Sequence, residues 1–148
     1  SDLFGQNLSD EALMSAIKYV SPGIELHNYT FWHDPPCIQE LICSGGIHAG
    51  LIVGDTKVSP RDLSFKHDVF SVYRNKNLIS SAEACEIMGG PLESLRWLTN
   101  FLSSNGEVLK RGSLVIPGSP TELIEVNHDC NIDVAIGNVG QVSAIFTS

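Results

Sequence analysis

The stretch GGPLESLRWLTNFLSSNGEVLKRGSLVIPGSPT, residues 89–121, decides how the chain reads. Gly89-Gly90 breaks whatever precedes it, and Pro91 suits a first helical position, where its fixed φ is pre-organised and its missing N–H costs nothing. Leu92, Leu95, Leu98, Thr99 and Leu102 then recur at helical spacing and predict an inner face, with Trp97 and Phe101 flanking it. Asn105-Gly106 supplies a left-handed end. Beyond the helix, Leu114–Ile116 and Glu122–Val126 are predicted as short strands. Between them lies Gly118-Ser119-Pro120-Thr121. Hydroxyls and backbone N–H groups at such a strand end can bind a carboxylate, or can simply cap the turn.

Working upstream, Ser9 is a good N-cap, and Asp10 and Glu11 occupy a first turn that the helix dipole favours. Leu8 can staple onto Leu13. Ala12, Leu13, Ala16, Ile17 and Val20 make an apolar stripe, which predicts a helix running until Ser21-Pro22-Gly23 stops it. A short strand, Ile24–His27, follows. Ile38–Cys43 predicts a helical turn broken by Ser44-Gly45-Gly46, and Ala49–Val53 reads as a buried strand. Val69–Arg74 alternates as a strand should, with Asn75-Lys76-Asn77 as a hairpin turn. Downstream, Ile132–Ile136 and Gln141–Phe146 are strands joined by Gly137-Asn138-Val139-Gly140. The expectation is one α+β domain over residues 1–148, dominated by strands, with two main helices.

Composition excludes several classes. The 148 residues carry 43% hydrophobic and 18% charged side chains, which can bury a core and argues against disorder. A formal net charge of −8, with Lys110-Arg111 the one adjacent basic pair, disfavours nucleic acid. No apolar run reaches membrane-spanning length, and residues 1–5 lack a signal-peptide layout. Cys37, Cys43, Cys85 and Cys130 form no C-x-x-C pair, so buried free thiols in a cytoplasmic protein are expected.

Gly90-Pro91-Leu92, Trp97-Leu98, Asn105-Gly106, Leu109-Lys110, Gly112 and Val115-Ile116-Pro117-Gly118-Ser119 together resemble a known pattern. That pattern belongs to the fumarylacetoacetate hydrolase superfamily, and within it to the C-terminal body of the 2-keto-4-pentenoate hydratases and 4-oxalocrotonate decarboxylases. Ala16 to Glu25, Ala49-Gly50-Leu51-Ile52-Val53-Gly54 and Val139-Gly140-Gln141-Val142-Ser143 extend the resemblance over nearly the whole chain. It implies a β-rich roll or barrel-like core, normally dimeric or of higher order. It also implies a magnesium or manganese ion that polarises the carbonyl of a 2-oxo acid, with Gly118, Ser119 and Thr121 contacting the substrate acid.

Several departures bear on that site. Glu25 matches one metal-binding glutamate of the family, a remnant ligand. The E-x-E strand that supplies two others, and a catalytic lysine, would precede Ser1, so the chain reads as N-terminally truncated. The family's E-x-x-D-x-R is here Glu25-Leu26-His27-Asn28-Tyr29-Thr30, and its A-D-N is Cys43-Ser44-Gly45. Pro120 removes a backbone N–H from the G-S-x-T element. The expectation is therefore a hydratase-like body with an incomplete, weakly binding Mg or Mn site. Its chemistry would be lost or altered, leaving a module that binds a 2-oxo acid or a partner. The second expectation is an active divalent-metal hydratase or lyase on 2-oxo acids.

The remaining candidates read more plainly. His33-Asp34, His67-Asp68 and His128-Asp129 could suggest a di-metal phosphohydrolase, but that chemistry sits on an all-helical scaffold, and surface turns are expected instead. His27 lies two residues from Glu25, and His48 with them would make a transition-metal donor set. Nothing in the sequence places His48 beside that strand, so a lone histidine in a polar cleft is expected. Cys43 next to Gly45-Gly46 reads as a core thiol.

Overall fold

The computed structural model describes residues 1–28, 36–126 and 129–147. Helix α1, Asp10–Ala16, opens as expected: the Ser9 Oγ accepts from the Ala12 N–H at 3.2 Å, and Leu13 is wholly buried. It closes earlier than the apolar stripe predicts. Ile17 turns to an extended ψ of 125° while its N–H still reaches the Leu13 and Met14 carbonyls. Val20 is thereby freed to pair with Val58 as an isolated bridge, and both residues pack on the main core. Tertiary pairing overrides a periodic pattern here.

Strand β1, Gly23–His27, pairs antiparallel with β2, His48–Val53, as a two-stranded sheet. The short helix α2, Ile38–Cys43, lies between them in sequence. The expectation of a buried β2 fails, since all its residues are half-buried or exposed. A two-stranded sheet has an open edge on each side and cannot enclose its own residues.

The second sheet has strand order β4-β3-β5-β6, all antiparallel: β3 is Val69–Arg74, β4 Asn77–Glu83, β5 Cys130–Ile136 and β6 Gly140–Phe146. The β3–β4 turn takes φ of 49° at Asn75 and 70° at Lys76. Two left-handed residues in succession match the strands' twist, and Asn tolerates that region well. Alternation is clean along β5, where Cys130, Ile132, Val134 and Ile136 are buried. With Val72, Val139 and Val142 they form one core, onto which Ile24 of β1 and Ile52 of β2 pack.

Helix α3, Pro91–Ser104, buries Leu92, Leu95 and Thr99, while Leu98 and Leu102 are half-buried. The Gly106 N–H reaches the Ser103 carbonyl and the Glu107 N–H the Leu102 carbonyl, which is the Schellman arrangement that Asn105-Gly106 predicts. Leu92 and Leu95 join Leu13 and Phe65 in a second core that couples α3 to α1. Arg96 ties the same helices by bonding Asp10 and Glu93, and those carboxylates hold its guanidinium firmly charged.

Two predicted strands do not form. Leu114–Ile116 and Glu122–Val126 carry no ladder, and among the described residues no backbone–backbone hydrogen bond reaches either segment. The Ser94 hydroxyl donates to the Pro117 carbonyl at 2.7 Å, and Arg74 donates to the Glu125 carbonyl. The apolar composition of a strand is present, but neither segment pairs with one. No helix among the described residues is long and apolar enough to cross a membrane. The cysteines are all free, but Cys37 and Cys43 are exposed and Cys85 half-buried, so Cys130 alone is a core thiol. Cys43 ends a helix that has no buried residue.

Candidate functional site

A trough of about 2160 Å³ runs between the two-stranded sheet and the extended segment that follows α3. It is larger than the roughly 300–1,000 Å³ typical of ligand pockets, and so is an open cleft rather than an enclosed cavity. Glu25 and His27 line it from β1, and Gly118, Ser119 and Thr121 line it from the facing segment. Both groups of predicted site residues line this one broad cleft, whose wall also takes in parts of α1, α3, β3 and β5. Gly118 takes a φ of 119°, and a Cβ there would stand 3.2 Å from Ile87 Cγ2. Glycine is required at this bend. The Ser119 hydroxyl lies 3.0 Å from the Thr121 hydroxyl and accepts the Thr121 N–H at 3.3 Å, so the loop caps itself.

His48 is the site residue that sequence reasoning misplaces. Along β1 and β2 the register runs Gly23↔Val53, Ile24↔Ile52, Glu25↔Leu51 and Leu26↔Gly50. A regular ladder would next pair His27 with Ala49 and leave His48 on the opposite face from Glu25. Instead the register shifts between Leu26 and His27, and His27 pairs with His48. The one-residue bulge turns His48 onto the face of Glu25. Its Nδ1 stands 2.8 Å from Glu25 Oε1, and His27 Nε2 stands 3.5 Å from the same oxygen. The carboxylate is about a quarter exposed (28%), His27 25% and His48 42%. No hydrophobic pattern signals a bulge, so the sequence can name these three side chains but cannot place His48 beside the other two.

These donors do not suit magnesium, which demands near-octahedral oxygen ligands at about 2.0–2.1 Å. The Glu25 carboxylate is flanked by two imidazoles rather than by further carboxylates. Among the described residues, no group of three or more His, Cys, Asp or Glu side chains is placed to hold a metal ion. Cys43-Ser44-Gly45 ends α2 and brings no carboxylate or amide side chain. Tyr29 and Thr30 lie outside the described residues.

The other histidine pairs separate. His67 is exposed, 3.4 Å from Glu83, as a surface turn predicts. Asp68 departs from that expectation. It is 7% exposed and accepts from the Ser64 and Phe65 N–H groups at 3.1 and 3.3 Å and from Asn138 Nδ2 at 3.1 Å. Its role is structural, pinning the β5–β6 turn to the loop before β3. His33-Asp34 and His128 lie outside the described residues.

The architecture is α+β, of the fumarylacetoacetate-hydrolase type. A solved 4-oxalocrotonate decarboxylase from Pseudomonas putida G7, complexed with magnesium and adipate, matches it with a TM-score of 0.90 at 23% identity. That match covers 99% of this chain and 56% of the decarboxylase, and at such identity it establishes the fold alone. In sequence, the chain resembles the C-terminal body of the hydratases and decarboxylases that act on 2-oxo acids. The 2-oxo-hept-4-ene-1,7-dioate hydratase of Escherichia coli is 26% identical over 97% of this chain and 56% of its own length. The 2-keto-4-pentenoate hydratase of Paraburkholderia xenovorans (strain LB400) is 22% identical over 99% of the chain and 55% of its own length. The chain therefore spans about half the length of the curated relatives it matches. No family model matches it.

Proposed function

We propose that this chain is a hydratase-like body that binds a small 2-oxo acid in the cleft, with its lyase chemistry lost or altered. Gly118, Ser119 and Thr121 would receive the acid's carboxylate. The observation that carries the reading is the cleft itself, which Glu25 shares with the Gly-Ser-x-Thr loop while two imidazoles flank the Glu25 carboxylate. A carboxylate so engaged is a poor ligand for a hard cation, so magnesium or manganese would bind weakly. Self-association as a homodimer or higher oligomer belongs to the same proposal. Phe4, Trp97 and Phe101 are each more than half exposed, and the Trp97 and Phe101 rings stack at 5.5 Å, a surface that association would cover. Free thiols fit a cytoplasmic setting.

Calorimetric titration with pyruvate and with oxalate tests the reading, on the native chain and on the Ser119→Ala, Thr121→Val variant. Binding by the native chain that weakens at least tenfold in the variant supports it. Silence toward every 2-oxo acid refutes it. A second reading, an active divalent-metal hydratase or lyase on 2-oxo acids, is favoured by the activities for which the relatives are named. It requires turnover of 2-keto-4-pentenoate with manganese, abolished by Glu25→Ala.

A further inference from the structure

The four-stranded sheet ends on β4, and that edge is open. The other outer strand, β6, has the two-stranded sheet packed beside it. Along β4, Asn77–Glu83, the only backbone hydrogen bonds among the described residues are those of its ladder with β3. Five of its seven residues are exposed, Leu78 at 57% and Ile79 at 42%. Proteins commonly blunt such an edge with proline, with charge or with a bulge. Between Asn77 and Ala82 there is neither proline nor charge. The one register shift, opposite Val72 and Tyr73, lies toward the turn and leaves Ser80 to Glu83 in regular register.

We propose that β4 pairs antiparallel with β4 of a second copy of this chain, about a two-fold axis across the strand. The inference rests on the self-association proposed above and names the surface that carries it. Charge selects the second copy as the occupant. The strand is basic at its turn end, where Lys76 is exposed, and acidic at its far end, where Glu83 and Glu86 are exposed. A two-fold axis presents the same patch from both sides, so each copy's Lys76 comes toward the other's Glu83 and Glu86. Opposite charges facing across antiparallel strands stabilise the pairing, whereas a parallel pairing would set like on like. The other charged groups at these ends are engaged within the chain: Arg74 donates to the Glu125 carbonyl, and His67 stands 3.4 Å from Glu83. Backbone N–H and C=O groups supply the affinity, as in other strand additions. Seven residues a side make a small interface, so the dimer is weak and depends on concentration.

Sedimentation equilibrium over a range of protein concentrations tests the pairing. Leu78→Lys puts a like charge on both copies at the edge and should weaken the dimer at least tenfold. Lys76→Glu should weaken it at least fivefold. Adding Glu83→Lys and Glu86→Lys to Lys76→Glu exchanges the two ends and should return the dissociation constant to within about twofold of native. All four positions are exposed, so the variants should fold, as circular dichroism would verify. No residue of β4 lines the cleft, so titration with pyruvate or oxalate should not change, which keeps this inference separate from 2-oxo acid binding. A dimer that survives Leu78→Lys but is lost in the Trp97→Ala, Phe101→Ala variant overturns the β4 assignment and leaves self-association standing. Failure of the exchanged variant to recover also overturns it. A native chain that stays monomeric at every concentration overturns both.

Discussion

Replacing Asp68 by alanine should cost the fold about 3–4 kcal/mol. The carboxylate is 7% exposed and accepts three hydrogen bonds, of which the one from the Phe65 N–H comes from a buried group. Removing it leaves that donor without a partner, at about 2 kcal/mol. The half-buried Ser64 N–H and Asn138 amide can recruit water in part, adding about 1–2 kcal/mol together. Water cannot fully refill the gap, because Gly137 packs so closely that a Cβ there would stand 2.9 Å from Asp68 Oδ1. Against a native stability of about 5–15 kcal/mol, the loss is large but survivable. At about 2–4 °C per kcal/mol for a chain of this size, Tm should fall by about 10 °C. Urea denaturation followed by circular dichroism measures the change directly, and an unchanged m-value would show that the denatured state is unaffected. Asp68→Asn keeps the shape and one acceptor and should lose about half as much. A loss below about 1 kcal/mol for the alanine variant would refute the assignment of Asp68 as the pin between the β5–β6 turn and the loop before β3.

Three further outcomes are expected. Leu13→Ala empties the wholly buried centre of the α1–α3 core and should cost about 3 kcal/mol in the same urea assay. Gly54→Ala would set a Cβ 2.8 Å from Pro22 Cγ and 3.2 Å from the Gln141 carbonyl, prising the two-stranded sheet off β6, and should cost about 1–3 kcal/mol. Desolvation, then the Glu83 carboxylate beside it, raise the Cys85 thiol above its ordinary pKa. Near pH 8, iodoacetamide should therefore modify Cys85 more slowly than the exposed Cys37 and Cys43, and Glu83→Gln should speed it, as peptide mass spectrometry would show.

What the sequence discloses follows from which forces are local. α3 is legible because Pro91, the leucine stripe and Asn105-Gly106 each act within a few residues. The β3–β4 hairpin and the alternation of β5 are legible for the same reason. α1 overruns its true end in the sequence reading because Val20 has a partner, Val58, that no local pattern announces. Leu114–Ile116 and Glu122–Val126 have the composition of strands and yet pair with none, an outcome that only topology decides. At the site, Glu25 and the Gly118-Ser119-Pro120-Thr121 loop can be found by motif. His48 cannot, because one bulged residue decides which face it takes. Asp68 is hidden for a related reason: a surface-type His-Asp pair conceals a carboxylate whose donors come from three separate positions.

The unladdered stretch after α3 has a consequence for how tightly the cleft can hold anything. One wall is a hydrogen-bonded sheet, and the other is a backbone fastened at a few points, chiefly Pro117 and Glu125. Amides in that second wall should exchange with solvent far sooner than those of β3 or β5. A guest that bridges the walls must first still the softer one, at about 1–2 kcal/mol for each residue newly ordered. Affinity would then be governed less by the contacts a ligand makes than by the freedom it takes away. Stiffening residues 114–126 should tighten binding without adding a single contact.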